Sequence, residues 1–193
     1  MLIPLGILDY PVSAAAAGSY DLLETEILTN NSTTSITLSN LNSTYGSTYQ
    51  HFQIRSAIKY YESGGGAGSA WLKLRFNGSG SGYKTHYLQG NGSSVTSAAL
   101  APTDYAYFTY IFKPGQDWSA IVMDILDPFE TTKNTTLRAL SGGISSTDGT
   151  LISLHSGLWD NTAAVDSITL TWDGGNPAQE GTRWSLYGLK ASA

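Results

Sequence analysis

Chemistry in this chain would have to start from three histidines and one close pair of carboxylates. His51, His86 and His155 are widely separated, and none has a second histidine at the i, i+4 spacing that lets a helix offer two imidazoles to one metal. There is no Gly-x-Ser-x-Gly nucleophile turn, no phosphate loop ending in Gly-Lys-Ser/Thr and no dinucleotide fingerprint. His86 lies between Tyr83 and Tyr87 and reads as a half-buried strand histidine. Asp124 and Asp127 flank Ile125 and Leu126 just before Pro128. Two carboxylates can hydrolyse a glycoside when a sugar-sized cleft holds them about 5–10 Å apart. They can also contribute to a calcium site, which needs several hard oxygens. The plainer reading is a strand end with a turn-forming aspartate before proline. The sequence therefore leads us to expect a protein that is not an enzyme, with no catalytic residue, no metal and no cofactor.

Binding chemistry has more to draw on. The chain has 5 Trp, 12 Tyr and 5 Phe. Tyrosine combines an apolar body with a polar tip, which suits a surface that must bind and stay soluble. Tyr45 and Tyr49, Tyr60 and Tyr61, and Tyr105, Tyr107 and Tyr110 are the candidate surface-binding aromatics. Such rings can stack on sugars or form protein contacts; cross-strand packing inside the fold is the structural alternative. Net charge is −5, and the ten Lys and Arg are scattered. That argues against nucleic acid, which needs a basic face to replace phosphate counterions. With no cysteine, disulfides and thiolate ligands are excluded. No apolar run approaches the ~18 residues of a membrane-spanning helix.

The elements that must position these residues are strands. Apolar and polar residues alternate in Leu72–Phe76, Phe52–Arg55 (continuing to Ile58), Ile168–Trp172 and Ser35–Leu38. Further candidates are Asp21–Leu28, Lys84–Gln89, Tyr105–Phe112, Ala120–Leu126, Thr135–Leu140, Leu151–Ser156 and Arg183–Lys190. Gly- and Asn-rich turns separate them, including Gly90-Asn91-Gly92, Gly142-Gly143 and Asp148-Gly149. Ten or eleven short strands at this spacing predict an all-β, antiparallel, jelly-roll-like sandwich. No stretch carries a helical stripe, although Thr131–Thr135 is expected to form one turn. No linker divides residues 19–193, which read as one domain.

Residues 1–18 read differently. Leu2, Ile3, Leu5, Ile7 and Leu8 are apolar, but Pro4, Gly6 and Asp9 interrupt them and no basic residue precedes them, so a signal peptide is not expected. Pro4 and Pro11 disfavour a helix. The segment is expected to be an extended arm whose five apolar side chains dock either on the chain's own domain or on a neighbour.

Several segments resemble a family of small virion proteins of tailed phages, common among marine phages and those of cyanobacteria. They are the opening Met1–Leu8 with Tyr20–Thr25, the stretches Leu74–Gly78 and Tyr83–Ser94, and above all Met123–Asp127 with Thr132–Gly142. Ser156–Trp159, Ala164–Leu170 and Gly181–Lys190 continue the similarity, which spans nearly the whole chain. The Gly64–Gly68 run departs from it. The resemblance implies a structural protein in the virion, as capsid decoration or cement, or as a small tail or fibre accessory. It supplies no catalytic motif. The expected partners are other virion proteins, reached through the arm, and further copies of the chain, with a trimer as the expected oligomer. A tail-fibre module binding a host glycan is the alternative reading, and a glycan-degrading enzyme is the third.

Overall fold

The computed structural model describes residues 20–61, 68–113, 118–145, 149–172 and 177–190. They form twelve strands and one short helix: β1 (Tyr20–Ile27), β2 (Ser35–Leu38), α1 (Leu41–Tyr45), β3 (His51–Ile58), β4 (Gly68–Phe76), β5 (Tyr83–Gly90), β6 (Val95–Thr103), β7 (Ala106–Lys113), β8 (Ser119–Leu126), β9 (Thr135–Ser145), β10 (Gly149–Trp159), β11 (Ile168–Trp172) and β12 (Arg183–Leu189). Two antiparallel sheets result, in the orders β1-β12-β3-β8-β9-β10-β5-β6 and β2-β11-β4-β7.

Eight of the strands pair in a nested way: β1 with β12, β2 with β11, β3 with β8, β4 with β7. A long hairpin folded over on itself produces this order, which is the wrapping of a jelly roll. It places four strands in each sheet. The remaining four strands are two hairpins. β5–β6 is inserted between β4 and β7, and β9–β10 between β8 and β11. Both add to the β8 side of one sheet, β9 on β8, β10 on β9 and β5 on β10. One sheet is thereby widened from four strands to eight.

The expected alternation supplies the core. Phe52, Ile54 and Ile58 of β3 share one buried core with Leu72, Leu74 and Phe76 of β4 and Ile168, Leu170 and Trp172 of β11. Phe52 sits edge-on to Tyr45 and to Phe129, with centroids 6.2 and 5.2 Å away. The Tyr83 hydroxyl, buried beside Phe76 and Trp159, accepts the Phe76 backbone N–H at 2.8 Å. Thr131–Thr135 forms no helical turn. The helix is α1, entered through Asn40 in the left-handed conformation (φ 60°), which asparagine tolerates.

The widened part has a different interior. On β9 and β10 the buried residues include Ala139, Ser141, Ser153 and His155. β7 lies over these strands. The hydroxyl of Ser141 bonds Thr109 of β7 on one side and Ser153 of β10, at 2.7 Å, on the other. His155 stacks on Tyr87, 5.5 Å between centroids, and Trp71 meets both rings edge-on. Neither ring nitrogen of His155 makes a hydrogen bond of good geometry, and burial lowers its pKa from 6.5 to about 4, opposed by the nearby Tyr107 backbone.

Two stability tests follow. Phe52→Ala should cost about 3–5 kcal/mol in urea unfolding, because a fully buried ring leaves a cavity. Between pH 6.5 and about 4 the unfolded chain binds a proton at His155 that the folded chain refuses. Stability should therefore be full above pH 6.5 and fall as pH drops through that window, by up to about 3 kcal/mol. His155→Phe should flatten this slope. The carboxylates of Asp21, Asp127 and Asp160 are held below their usual range, so their contribution is lost at lower pH than His155's.

Candidate functional site

The expected chemistry-bearing carboxylates are engaged in pairing. Asp124, on β8, accepts Gln53 Nε2 at 2.7 Å and Arg138 at 3.2 Å. Asp127 has a positive φ of 47° just past the strand, as a turn aspartate can. Its carboxylate is paired with Lys133 and accepts Gln50 Nε2 at 3.1 Å, and its backbone N–H donates to His51 Nδ1 at 3.0 Å. Burial raises its pKa, but the bonds from Lys133 and Gln50 and the neighbouring His51 outweigh that and hold it low. Among the described residues no three His, Asp or Glu side chains gather as metal ligands. His86 is exposed, not half-buried; it faces outward from β5, whereas Tyr83 is buried on the opposite face.

Of the tyrosines expected to form binding surfaces, Tyr45, Tyr49 and Tyr60 are engaged within the sandwich. Tyr60 is buried (3% exposed) and bridges to Ala178, which corrects its place in an exposed pair. Its neighbour Tyr61 is half-buried. Tyr45 is half-buried and donates its hydroxyl to Glu24 at 3.2 Å. Tyr49, also half-buried, donates to Asp21 at 3.0 Å, and its ring lies so close to Gly188 that a Cβ there would collide with it. Tyr105 carries two cations on its ring, Arg75 at 3.9 Å and Lys73 at 4.6 Å, and Lys73 also lies 5.4 Å from Tyr107. Cations in those positions compete with a sugar for the same ring faces. The Tyr110 side chain lies outside the described residues. So do Leu2, Ile3, Leu5, Ile7 and Leu8 of the arm.

The structure brings together a surface that single positions in the sequence do not advertise. On the outer face of the eight-stranded sheet, Val122 of β8 stands opposite Leu140 of β9, Leu140 opposite Leu154 of β10, and Leu154 opposite Leu88 of β5. These four apolar side chains form one row across four strands, and all are exposed, by 41%, 52%, 43% and 48%. A parallel row places Ile152 near Val95, either side of Gly90, with 60% and 72% exposure. Leu88, Val95, Leu140, Ile152 and Leu154 line a shallow groove of about 260 Å³. Scattered exposed leucines are ordinary; a contiguous set is the mark of a contact surface.

Polar groups border this set. The next row holds the Asp124–Arg138 ion pair, Ser156 and His86. Beyond Val122 stands Arg55 of β3, packed over the rings of Tyr187 (4.7 Å) and Tyr20 (5.5 Å). At the far end of the sheet a larger groove of about 980 Å³ runs between the β5–β6 turn and β9–β10. Trp118, 43% exposed, lines it with Ser93, Ser94 and Thr150. Trp118, like Tyr20, is an exposed aromatic outside the expected tyrosine clusters; its isolation in sequence gave no signal.

No protein-family model matches the chain, and no curated protein matches it significantly.

If the apolar row plays no part in folding, Leu140→Ser with Leu154→Ser should change unfolding free energy by less than about 1 kcal/mol, as exposed positions do. The same variant should bind less of a dye that reports exposed apolar surface, such as ANS. A loss comparable to a core substitution would show the row to be structural.

Proposed function

We propose that this protein is a non-enzymatic structural component of a phage particle, which joins surfaces by burying the apolar row of its widened sheet. The observation that carries the reading is the row Val122–Leu140–Leu154–Leu88, apolar, exposed and in register over four adjacent strands. Covering such a row recovers about 25 cal/mol per Å² of apolar surface removed from water. The bordering Asp124–Arg138 pair and Arg55 give it the polar rim of a protein contact. The arm, with Leu2, Ile3, Leu5, Ile7 and Leu8, is proposed as a second attachment point to a neighbouring virion protein. Repetition of weak contacts over a symmetric particle then gives lasting attachment. The engaged carboxylates Asp124 and Asp127 support a role without catalysis. Capsid decoration and a tail or fibre accessory position both fit this mechanism.

Trp118 favours one second reading. An exposed indole beside hydroxyls can stack on a sugar ring while the hydroxyls bond it, so a glycan receptor would be held in that groove rather than on the tyrosines.

Particles assembled without this chain should recover it when intact protein is added. Neither a variant lacking residues 1–12 nor one carrying Leu154→Lys should bind comparably. Failure of the intact protein to bind, or turnover of a substrate by the purified protein, overturns the reading. A glycan array with intact protein and Trp118→Ala tests the second: glycan binding lost in that variant would support it.

A further inference from the structure

Four strand edges end the two sheets, and three of them are closed to further pairing. β1 carries Asp21, Glu24 and Glu26 and a register shift between Leu22 and Glu24. Charges and bulges of this kind blunt an edge. β2 is only four residues long. β7 faces inward at its edge, where the Tyr107 N–H donates to Thr85 Oγ1 of β5 at 3.3 Å. β6 lacks them over Val95–Leu100; its one register shift lies beyond, near Pro102. It is nine residues long, Val95–Thr103, and its sequence VTSAALAPT holds no charge. It is also exposed on both faces: only Leu100 and Thr103 are partly covered, because the four-stranded sheet does not extend over it. A long, uncharged edge with no partner among the described residues is a template for another strand.

We infer that β6 pairs with β6 of a second copy, antiparallel about a twofold axis near Ala98 and Ala99, joining two eight-stranded sheets into one. Several observations identify the occupant as a second copy. The chain carries net charge −5, so copies repel over most approaches, yet two β6 strands meet without placing any charged side chain opposite another. The side chains at the centre are methyl groups, which let two backbones approach on both faces. A twofold axis perpendicular to the sheet keeps both outer faces on one side. The apolar row, which reaches β6 at Ser97 opposite Leu88, and Val95 beside it, then continues from one copy to the other as a single belt. Pairing therefore doubles the surface proposed above. The register shift between Tyr83 and Thr85 leaves an extra residue on β6 near Pro102, which limits pairing to the stretch before it. An antiparallel edge of this kind closes with two copies, in place of the trimer expected from the sequence.

The inference rests on the joining function only for its purpose, and its test is separate. The chain has no cysteine, so single cysteines report cleanly. Residues facing themselves across an antiparallel pair have Cα atoms about 4.5 or 5.5 Å apart, within disulfide reach. Full-length protein carrying Ala98→Cys or Ala99→Cys should form a covalent dimer on mild oxidation, whereas Glu26→Cys on the β1 edge should not. Sedimentation should show a dimer of the unmodified chain, weakened at least about tenfold by Ala99→Lys, which sets like charges face to face. A chain that stays monomeric at every concentration overturns the inference. So does a dimer that Ala99→Lys leaves intact and β6 cysteines do not trap. If such a dimer is instead lost with Leu154→Lys, the sheets associate face to face, and the apolar row stands while the edge pairing falls. If particle binding persists in a monomeric Ala99→Lys variant that wild-type protein shows to be otherwise dimeric, joining and pairing are both upheld as separate properties.

Discussion

Eight strands face four. In a β-sandwich each sheet hides one face on the other, so the narrower sheet sets how much can be hidden. Here the nested pairs β1–β12, β2–β11, β3–β8 and β4–β7 make a balanced sandwich, and the hairpins β9–β10 and β5–β6 extend one side of it alone. Among the described residues the extension is closed over by the edge strand of the other sheet, β7. Beyond β5 none of the described residues covers it, and β6 is exposed on both faces. The exposed row, the unprotected edge and the unusual interior of β9 and β10 all follow from this mismatch of width.

The interior of the extension is set by the closeness of β7. Sheets held apart by leucine and phenylalanine lie roughly 10 Å apart. Thr109, Ser141 and Ser153 instead bond to one another through hydroxyls, which requires a closer approach and side chains small enough to permit it. Strand geometry then sends their neighbours the other way. Leu140 alternates with Ala139 and Ser141, and Leu154 with Ser153 and His155, so along this stretch small and polar residues point in and Leu140 and Leu154 point out, while Leu137 and Leu151 of the same strands stay buried.

This inversion is also where sequence reading reached its limit. The strands of the balanced sandwich were legible because Leu72–Phe76, Ile168–Trp172 and Ser35–Leu38 carry apolar residues at every second position and those residues do face the core. On β9 and β10 alternation identifies the strands but not that Leu140, Ile152 and Leu154 lie outside while Ala139, Ser141, Ser153 and His155 lie inside, since alternation reveals a period but not which phase is buried when a polar set can be satisfied internally. β6 was missed because alanine and serine carry little strand preference and Pro102 argues against a strand, although an edge tolerates it. The tyrosine pairs were visible but not their engagement: Glu24, Asp21, Lys73 and Arg75 reach them from strands distant in sequence.

The outward leucines bear on what the extension is for. Turning Leu140, Leu154 and Ile152 inward would gain roughly 1.5–3 kcal/mol for each side chain fully buried. That is a large sum for a domain whose whole stability is about 5–15 kcal/mol. The hydroxyl bonds that take their place inside contribute about 1 kcal/mol each. In an isolated chain the arrangement forgoes stability that the same strands could have supplied. It is offset when another polypeptide covers the outer face, because the apolar area then leaves water after all. Such a face gains on assembly what it lacks in the free chain, which couples its burial to the presence of a partner rather than to folding.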